Sequence, residues 1–316
     1  MAEIKNYKHF PAKFIERYES IIPDFDDFLN ALQQPLPKAF RINTLKATKE
    51  EILLLLKLNN INIKPIPWYE LGFWLIDNTV NLGADIIHHQ GLIYLQESAS
   101  MIPAIVLAPK PNEQILDMAS APGSKTIQIA QMMANTGLIV ANDISVRRLK
   151  ALIYNIERMG VLNTAVICQI GQSLGYLMPN YFDRVLLDAP CSLEGIIAST
   201  PQALSKWTES SIKRLSKLQK GLINSAFKCL KPNGTLVYST CTFAPEENEE
   251  VIDYLLSNNP NAICEPISVA NVKTRPAITK WGKNLYNEQI KNCIRIYPQD
   301  NNCEGFFIAK ISKSDE

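Results

Sequence analysis

From about residue 95 onward, short apolar runs alternate with longer stretches whose apolar positions recur every three or four residues. That pattern marks strands followed by helices. The runs at 114–118, 138–142, 164–168, 184–188, 235–239 and 305–311 read as strands. Between them, 124–134, 146–159 and 209–230 read as helices, the last stopped by Lys231-Pro232-Asn233-Gly234. A further helix is expected over 245–256, with Pro245 in its first turn, where a missing N–H costs nothing. Six or seven strands with covering helices predict an α/β fold built on a doubly wound sheet.

Residues 1–94 follow another pattern. Short helical segments over 10–35 carry Phe14, Tyr18, Phe25 and Phe28. A strand at 39–45, a helix at 49–58 and extended pieces at 65–68 and 72–76 come next. This predicts a small α+β unit over 1–94 ahead of a larger one over 95–316.

Composition narrows the class without naming it. With 47 % hydrophobic and 20 % charged residues, the 316-residue chain is an ordinary globular protein with room for two domains. Seven cysteines, an odd number with no CxxC pair, argue against a disulfide framework or a zinc ribbon, and no metal is expected. A reducing cytoplasm fits that usage. Met1 and the four residues after it lack the layout of a signal peptide, and no apolar run reaches the roughly 18 residues of a membrane span. The net charge of +1 gives no overall basic surplus, so any nucleic-acid affinity must come from local patches. The chain is expected to act as a monomer.

Candidate chemistry gathers at strand ends. Asp117 through Lys125 turns from a strand into a helix, and Ala119, Ser120, Ala121, Pro122, Gly123 and Ser124 let the backbone approach a ligand near free N–H groups. Lys125-Thr126 imitates the end of a P-loop, but Ala119 and Ser124 stand where that motif needs glycines. The competing reading is a turn that is small for packing reasons. About twenty residues on, Asn142-Asp143 ends the next strand. An acid there accepts the hydroxyls of an adenosine ribose, or else caps the helix beginning near Ser145. Loop and acid together favour a nucleoside cofactor, with NAD and S-adenosylmethionine both open.

Two cysteines close apolar strands, Cys191 in Asp188-Ala189-Pro190-Cys191 and Cys241 in Tyr238-Ser239-Thr240-Cys241-Thr242. On one open sheet both would face the same crevice. Cys241, ahead of the expected helix at Pro245, sits where a thiol gains thiolate character. Cys168, Cys229, Cys264, Cys293 and Cys303 read as small buried hydrophobes. Glu246, Glu247, Glu249 and Glu250 read as a solvated helix face.

These motifs resemble the NOP2/Sun (RsmB/NOP) family of RNA cytosine-5 methyltransferases, and within it the RsmF-type 16S ribosomal RNA enzymes. The likeness is carried by Arg41-Ile42-Asn43-Thr44-Leu45-Lys46, Gln96-Glu97-Ser98-Ala99-Ser100-Met101, Ala121-Pro122-Gly123-Ser124-Lys125-Thr126 and the two cysteine motifs. Pro67-Trp68, Gly72-Phe73-Trp74, Pro201-Gln202-Ala203-Leu204 and Glu304-Gly305-Phe306-Phe307 extend it over nearly the whole chain.

The resemblance implies a Rossmann-like S-adenosylmethionine methyltransferase fold behind an RRM-like, RNA-binding N-terminal unit. It assigns Cys241 to attack C6 of a cytosine, Cys191 to assist removal of the C5 proton and product release, and Asp188 to steady the base. The cofactor would lie on the 119–125 loop with Asp143 on its ribose and Asp188 at its edge, while Lys125 serves loop and substrate. For RNA the implied contacts are Arg41 and a stripe of Trp207, Lys213, Arg214, Lys217 and Lys220, against the plainer reading of a solvated helix face. The substrate implied is ribosomal RNA or the small subunit, with transfer RNA as the alternative.

Four departures stand out. Ile170 replaces the aspartate expected against the adenine amino group, a loss on the order of 1 kcal/mol of cofactor affinity. Leu193 replaces a glycine after the Asp188 motif, Ala198-Ser199-Thr200 replaces basic residues, and the chain stops soon after Ile311, before the C-terminal RNA-binding extension of larger relatives. The first two motivate a rival reading as a catalytically weak RNA-binding relative. An NAD oxidoreductase would need a Gly-x-Gly-x-x-Gly loop that 117–125 lacks.

Overall fold

Local signals fix several elements at their expected bounds. Helix Lys49–Leu58 starts on a capping box in which Thr48 and Glu51 satisfy each other's backbone N–H groups. Helix Val146–Met159 starts with the Ser145 hydroxyl accepting from Arg148 N and ends at Gly160, whose φ of 73° suits a residue without a Cβ. The computed structural model describes residues 10–77 and 79–315. The N-terminal residues 1–5, read above for a leader, lie outside them. Among the described residues no helix is long and apolar enough to cross a membrane.

Four short strands, β1 (Ala39–Ile42), β2 (Ile63–Pro65), β3 (Gly72–Leu75) and β4 (Ile93–Leu95), form an antiparallel sheet in the order β2-β3-β1-β4. Ile52 and Leu56 of helix Lys49–Leu58 join Phe40, Ile42, Phe73 and Ile93 in its core. Helices Ala12–Glu19 and Phe25–Leu32 pack elsewhere. Phe14, Tyr18, Phe28 and Leu29 form a cluster with Trp207, Ile212, Phe243 and Tyr297, so the first helices lie against the larger unit.

That unit is built on β5 (Gln114–Asp117), β6 (Leu138–Asn142), β7 (Thr164–Ile167), β8 (Phe182–Asp188), β9 (Leu230–Thr240), β10 (Ala262–Glu265) and β11 (Arg275–Pro276). After a hairpin of β12 (Lys280–Trp281) and β13 (Asn284–Leu285), β14 (Ile294–Ile296) and β15 (Phe306–Lys313) complete it. The order is β11-β14-β15-β9-β8-β5-β6-β7, with β10 also on β15. The five strands from β9 to β7 run parallel, and β15, β14 and β11 extend the sheet beyond β9 as antiparallel neighbours. Alternate residues bury on opposite faces: Ile115, Leu186 and Val237 join one core, Leu116, Leu187 and Tyr238 the other. The chain moves outward through β5, β6 and β7, then returns to β8 beside β5. That reversal opens a crevice at the carboxyl ends of β5 and β8, where ligands bind in such sheets.

Two local expectations need correction. The helix expected over 245–256 runs over Glu249–Asn258. Asn248 (φ −112°, ψ −94°) is turned inward, accepting from Thr240 Oγ1 and donating to the Thr242 carbonyl, and this breaks the turn that Pro245 would have begun. Cys241 is therefore not at a helix N-terminus. Residues 231–234 do stop the long helix (Glu209–Cys229), but they form a bulge within β9: Phe182 pairs with Leu230 and Arg184 with Thr235.

Candidate active site

The 117–125 loop is a tight cradle. Ser120 N and Oγ both donate to the Asn142 carbonyl, at 2.8 and 2.9 Å, which ties the ends of β5 and β6 together. Gly123 has φ 108°, and a Cβ there would come within 2.8 Å of Leu152 Cδ1. Only glycine suits both the dihedral and the space. Arg148, missed in the sequence, reaches over the loop to donate to the Ala121 carbonyl.

Two buried acids border the cradle. Asp117 Oδ2 accepts from Thr126 Oγ1 at 2.6 Å, while Oδ1 has no partner. Burial pushes its pKa up to about 7, against the pull of the Thr126 bond. Asp143 Oδ1 accepts from Ser145 N at 2.9 Å, so it does help to start the following helix. Its Oδ2 lies 2.9 Å from Arg148 Nη1 but is not aligned for a hydrogen bond. An acceptor with spare capacity at the end of β6, beside this loop, fits the hydroxyls of a ribose, which donate to it.

The crevice itself is a chain of polar contacts. Lys125 Nζ donates to Asp188 Oδ2 at 2.7 Å and to Ser100 Oγ at 2.9 Å. Asp188 Oδ1 accepts from Ser239 Oγ at 2.7 Å, linking β8 to β9. Burial works against the Lys125 ammonium, but Asp188 and more weakly Asp117 and Cys241 outweigh it and hold its pKa above the usual value. Phe306 stands under this ammonium, 5.5 Å from its ring centre.

The structure brings the two strand-end thiols together, with Cys191 Sγ and Cys241 Sγ 3.2 Å apart and both half-buried. Their loops are stitched by Gly195 N to the Cys241 carbonyl (2.8 Å), Ala189 N to the Ser239 carbonyl (2.8 Å) and Ser192 Oγ with Thr242 Oγ1 (2.7 Å). A Cβ on Gly195 would lie 2.2 Å from the Gly305 carbonyl, so this approach depends on glycine. The bond to Cys241, then burial, push the Cys191 thiol well above its usual pKa.

Glu194, which the sequence reading missed, is the hub behind these loops. Its carboxylate accepts from Tyr18 Oη at 2.6 Å, Trp207 Nε1 at 2.5 Å, Thr242 Oγ1 at 2.7 Å and Phe243 N at 2.9 Å. It thereby joins the first helix, the region after β8 and the backbone next to Cys241.

Several assigned residues lie elsewhere. Arg41 is fully buried and donates to Gln96, Gln131 and the Ser124 carbonyl, so it anchors the small sheet to the loop-bearing helix and presents nothing to RNA. Trp207 is buried on Glu194, and Lys220 pairs with Glu250 at 2.7 Å. Lys213, Arg214 and Lys217 are the exposed members of that stripe. The acidic run is not a solvated face: Glu247 and Glu249 are fully buried, Glu249 on Arg295 at 2.6 Å, and Glu246 pairs with Arg17. Cys168 is exposed, unlike Cys229, Cys264, Cys293 and Cys303.

Ile170 is exposed at the end of β7. Leu193 adopts φ 63°, ψ 26°, a left-handed conformation that costs an ordinary L-residue roughly 1–2 kcal/mol. Leu193→Gly removes that strain at the cost of a floppier unfolded chain. We expect a net gain of about 0.5–1 kcal/mol, read as a higher urea midpoint.

The family described as 16S rRNA methyltransferase RsmB/F matches residues 104–312, and the N-terminal domain of 16S rRNA methyltransferase RsmF matches 10–98. The chain is 45 % identical over 310 residues to the tRNA (cytosine(49)-C(5))-methyltransferase of Pyrococcus abyssi, covering 98 % of each. It is 40 % identical to ribosomal RNA small subunit methyltransferase F of Pectobacterium carotovorum, over 97 % of this chain and 63 % of that one. The chain thus spans less than two thirds of that relative. A crystal structure of a methyltransferase homolog protein from Pyrococcus horikoshii superposes with a TM-score of 0.87 at 37 % identity, covering 98 % of this chain and 97 % of that one.

Proposed function

The chain belongs to the RsmB/F family of RNA methyltransferases, and from that premise we propose that it methylates C5 of a cytosine in RNA through a Cys241–C6 adduct. The observation that carries the reading is the pair of thiols 3.2 Å apart at the ends of adjacent strands, beside Lys125 and Asp188. A lone reactive cysteine would serve many reactions. Two thiols facing one crevice suit a reaction that needs a nucleophile and a separate proton acceptor.

S-Adenosylmethionine, held on 119–125 with Asp143 at the ribose, supplies an electrophilic methyl group. Cytosine C5 is a poor nucleophile until the Cys241 sulfur, its proton given up to solvent, adds to C6 across the C5–C6 double bond and turns the ring into an enamine. The target base must be unstacked to reach the thiols. Asp188, fixed by Lys125 and Ser239, takes the ring-nitrogen edge of the base. Cys191 comes next. Its thiol is held well above its usual pKa by the bond to Cys241 and by burial, and alkylation of Cys241 removes only the first of these. Cys191 gives its own proton to solvent, and its thiolate then takes the C5 proton. Loss of that proton expels Cys241 and releases the product.

The matched domain descriptions favour ribosomal RNA of the small subunit, which would place the work in the cytoplasm. Transfer RNA is the second reading, favoured by 45 % identity to the Pyrococcus abyssi enzyme over nearly all of both chains. Lys213, Arg214 and Lys217 are the proposed RNA contacts on the long helix. Methyl-labelled S-adenosylmethionine offered with small subunits, naked 16S RNA and bulk tRNA in parallel tests the assignment. Label on ribosomal RNA or subunits supports the first reading and label on tRNA alone the second. No transfer from folded protein overturns both.

A further inference from the structure

Glu247 is fully buried behind the Cys191 turn, and the mechanism leaves it unused. Its Oε2 accepts from Ser192 N at 3.1 Å and from Gln219 Nε2 at 2.8 Å. The same Gln219 nitrogen donates to the Pro190 carbonyl at 2.8 Å. Glu247 and Gln219 therefore grip the chain on both sides of Cys191. Two atoms of this clamp are unsatisfied, since Glu247 Oε1 and Gln219 Oε1 are buried without partners. Turning the amide over does not help, because the Pro190 carbonyl only accepts and so fixes Nε2 where it is. A proton on the Glu247 carboxyl is the donor that these acceptors lack.

The charged groups nearby supply no counter-ion. Arg17 is committed to Glu246, Lys220 to Glu250 and Arg295 to Glu249. The titratable groups that act on Glu247 include Glu194 and Cys191 on the loop after β8, and the Tyr238 hydroxyl on β9 donates to the Glu247 carbonyl at 2.6 Å. An ionised carboxylate here would be a buried, uncompensated charge.

We propose that Glu247 is held as a neutral carboxylic acid, paired through both oxygens with the Gln219 amide, and that this one proton positions the Cys191 turn. Burial, reinforced by the charge of Glu194, pushes its pKa up to about 8, so the clamp is closed at neutral pH and opens in mild alkali. Ionisation sets two acceptors against each other behind Pro190 and Ser192 and places a negative charge near Cys191. It thus disfavours the Cys191 thiolate when that thiolate is needed. Glu247 is a positioning residue and touches no reacting atom. Only its consequence for adduct release rests on the proposed methyl transfer.

The test is carboxyl-carbon NMR on whole protein labelled at glutamate side chains, with Glu247→Gln identifying the resonance. Glutamine reproduces the donor and acceptor of the neutral acid and cannot ionise. A resonance that is protonated at neutral pH and titrates near pH 8, followed by the Ser192 amide, is the expected result. Titration in the ordinary range near about 4.3 overturns the proposal whether or not the protein methylates RNA. If the variant fails to fold, the Ser192 amide of the wild type reports the same midpoint. In turnover assays the RNA–protein adduct should live several-fold longer in the wild type than in Glu247→Gln at pH 9, while at pH 7 the two lifetimes match. Equal pH profiles in the two proteins contradict the coupling to Cys191.

Discussion

Alanine at position 241 is expected to abolish methyl transfer, while alanine at 191 leaves RNA covalently attached to the protein. The asymmetry follows from the order of the steps. Without Cys241 Sγ nothing activates C5, and removing a reacting group of this kind costs on the order of 10⁴-fold or more. Without Cys191 the attack still proceeds, because Cys241 keeps its place through Gly195, Thr242 and Phe243. The adduct then lacks the group that removes the C5 proton, and it accumulates. A slower band on denaturing gels, present for Cys191→Ala and absent for Cys241→Ala, is the expected outcome. No adduct in the first variant, or turnover by the second, contradicts the assigned roles.

Glu194→Ala should be the most disruptive change away from the thiols. It leaves Tyr18 Oη, Trp207 Nε1, Thr242 Oγ1 and Phe243 N without their acceptor in a buried region. Each stranded donor costs about 1–3 kcal/mol, and the hydroxyls recover part of it by turning to other partners. A total loss on the order of 3–5 kcal/mol is expected, with a fall in Tm on the order of 10 °C. Activity should fall with it, since the backbone following Cys241 loses its anchor. The control is Thr242→Val, which removes one of the four donors together with that hydroxyl's contacts to Ser192 Oγ and Ala244 N, and should cost less than Glu194→Ala, about 2 kcal/mol. Equal stability of Glu194→Ala and wild type by thermal unfolding contradicts the hub.

What the chain displays locally was legible. The strand ends carrying Asp117, Asp143, Asp188, Cys191 and Cys241 were readable because a parallel sheet collects its carboxyl ends in one crevice. Helices with strong caps, such as Val146–Met159, had readable bounds. What failed was the placement of charge. Arg41 looked like an RNA contact and the run from Glu246 to Glu250 like a wet helix face, because a buried ion is recognisable only by its partner. Those partners are remote in sequence: Gln131 lies 90 residues from Arg41, and Arg295 lies 46 from Glu249. The same run misplaced a helix start, since Glu247 and Asn248 spend their side chains on the thiol loops. Glu194 carried no signal, being one acid in a loop whose four donors come from distant segments. Leu193 beside it was flagged as a departure, and its positive φ shows what a glycine would have relieved there.

On the proposed mechanism this crevice builds a carbon–carbon bond at cytosine C5 through Cys241. That step is tested most directly by digesting labelled product RNA to nucleosides after incubation with methyl-labelled S-adenosylmethionine. Label is expected in 5-methylcytidine with the wild type and in no nucleoside with Cys241→Ala. Label on a ring nitrogen or a ribose oxygen, or 5-methylcytidine formed without Cys241, would contradict it.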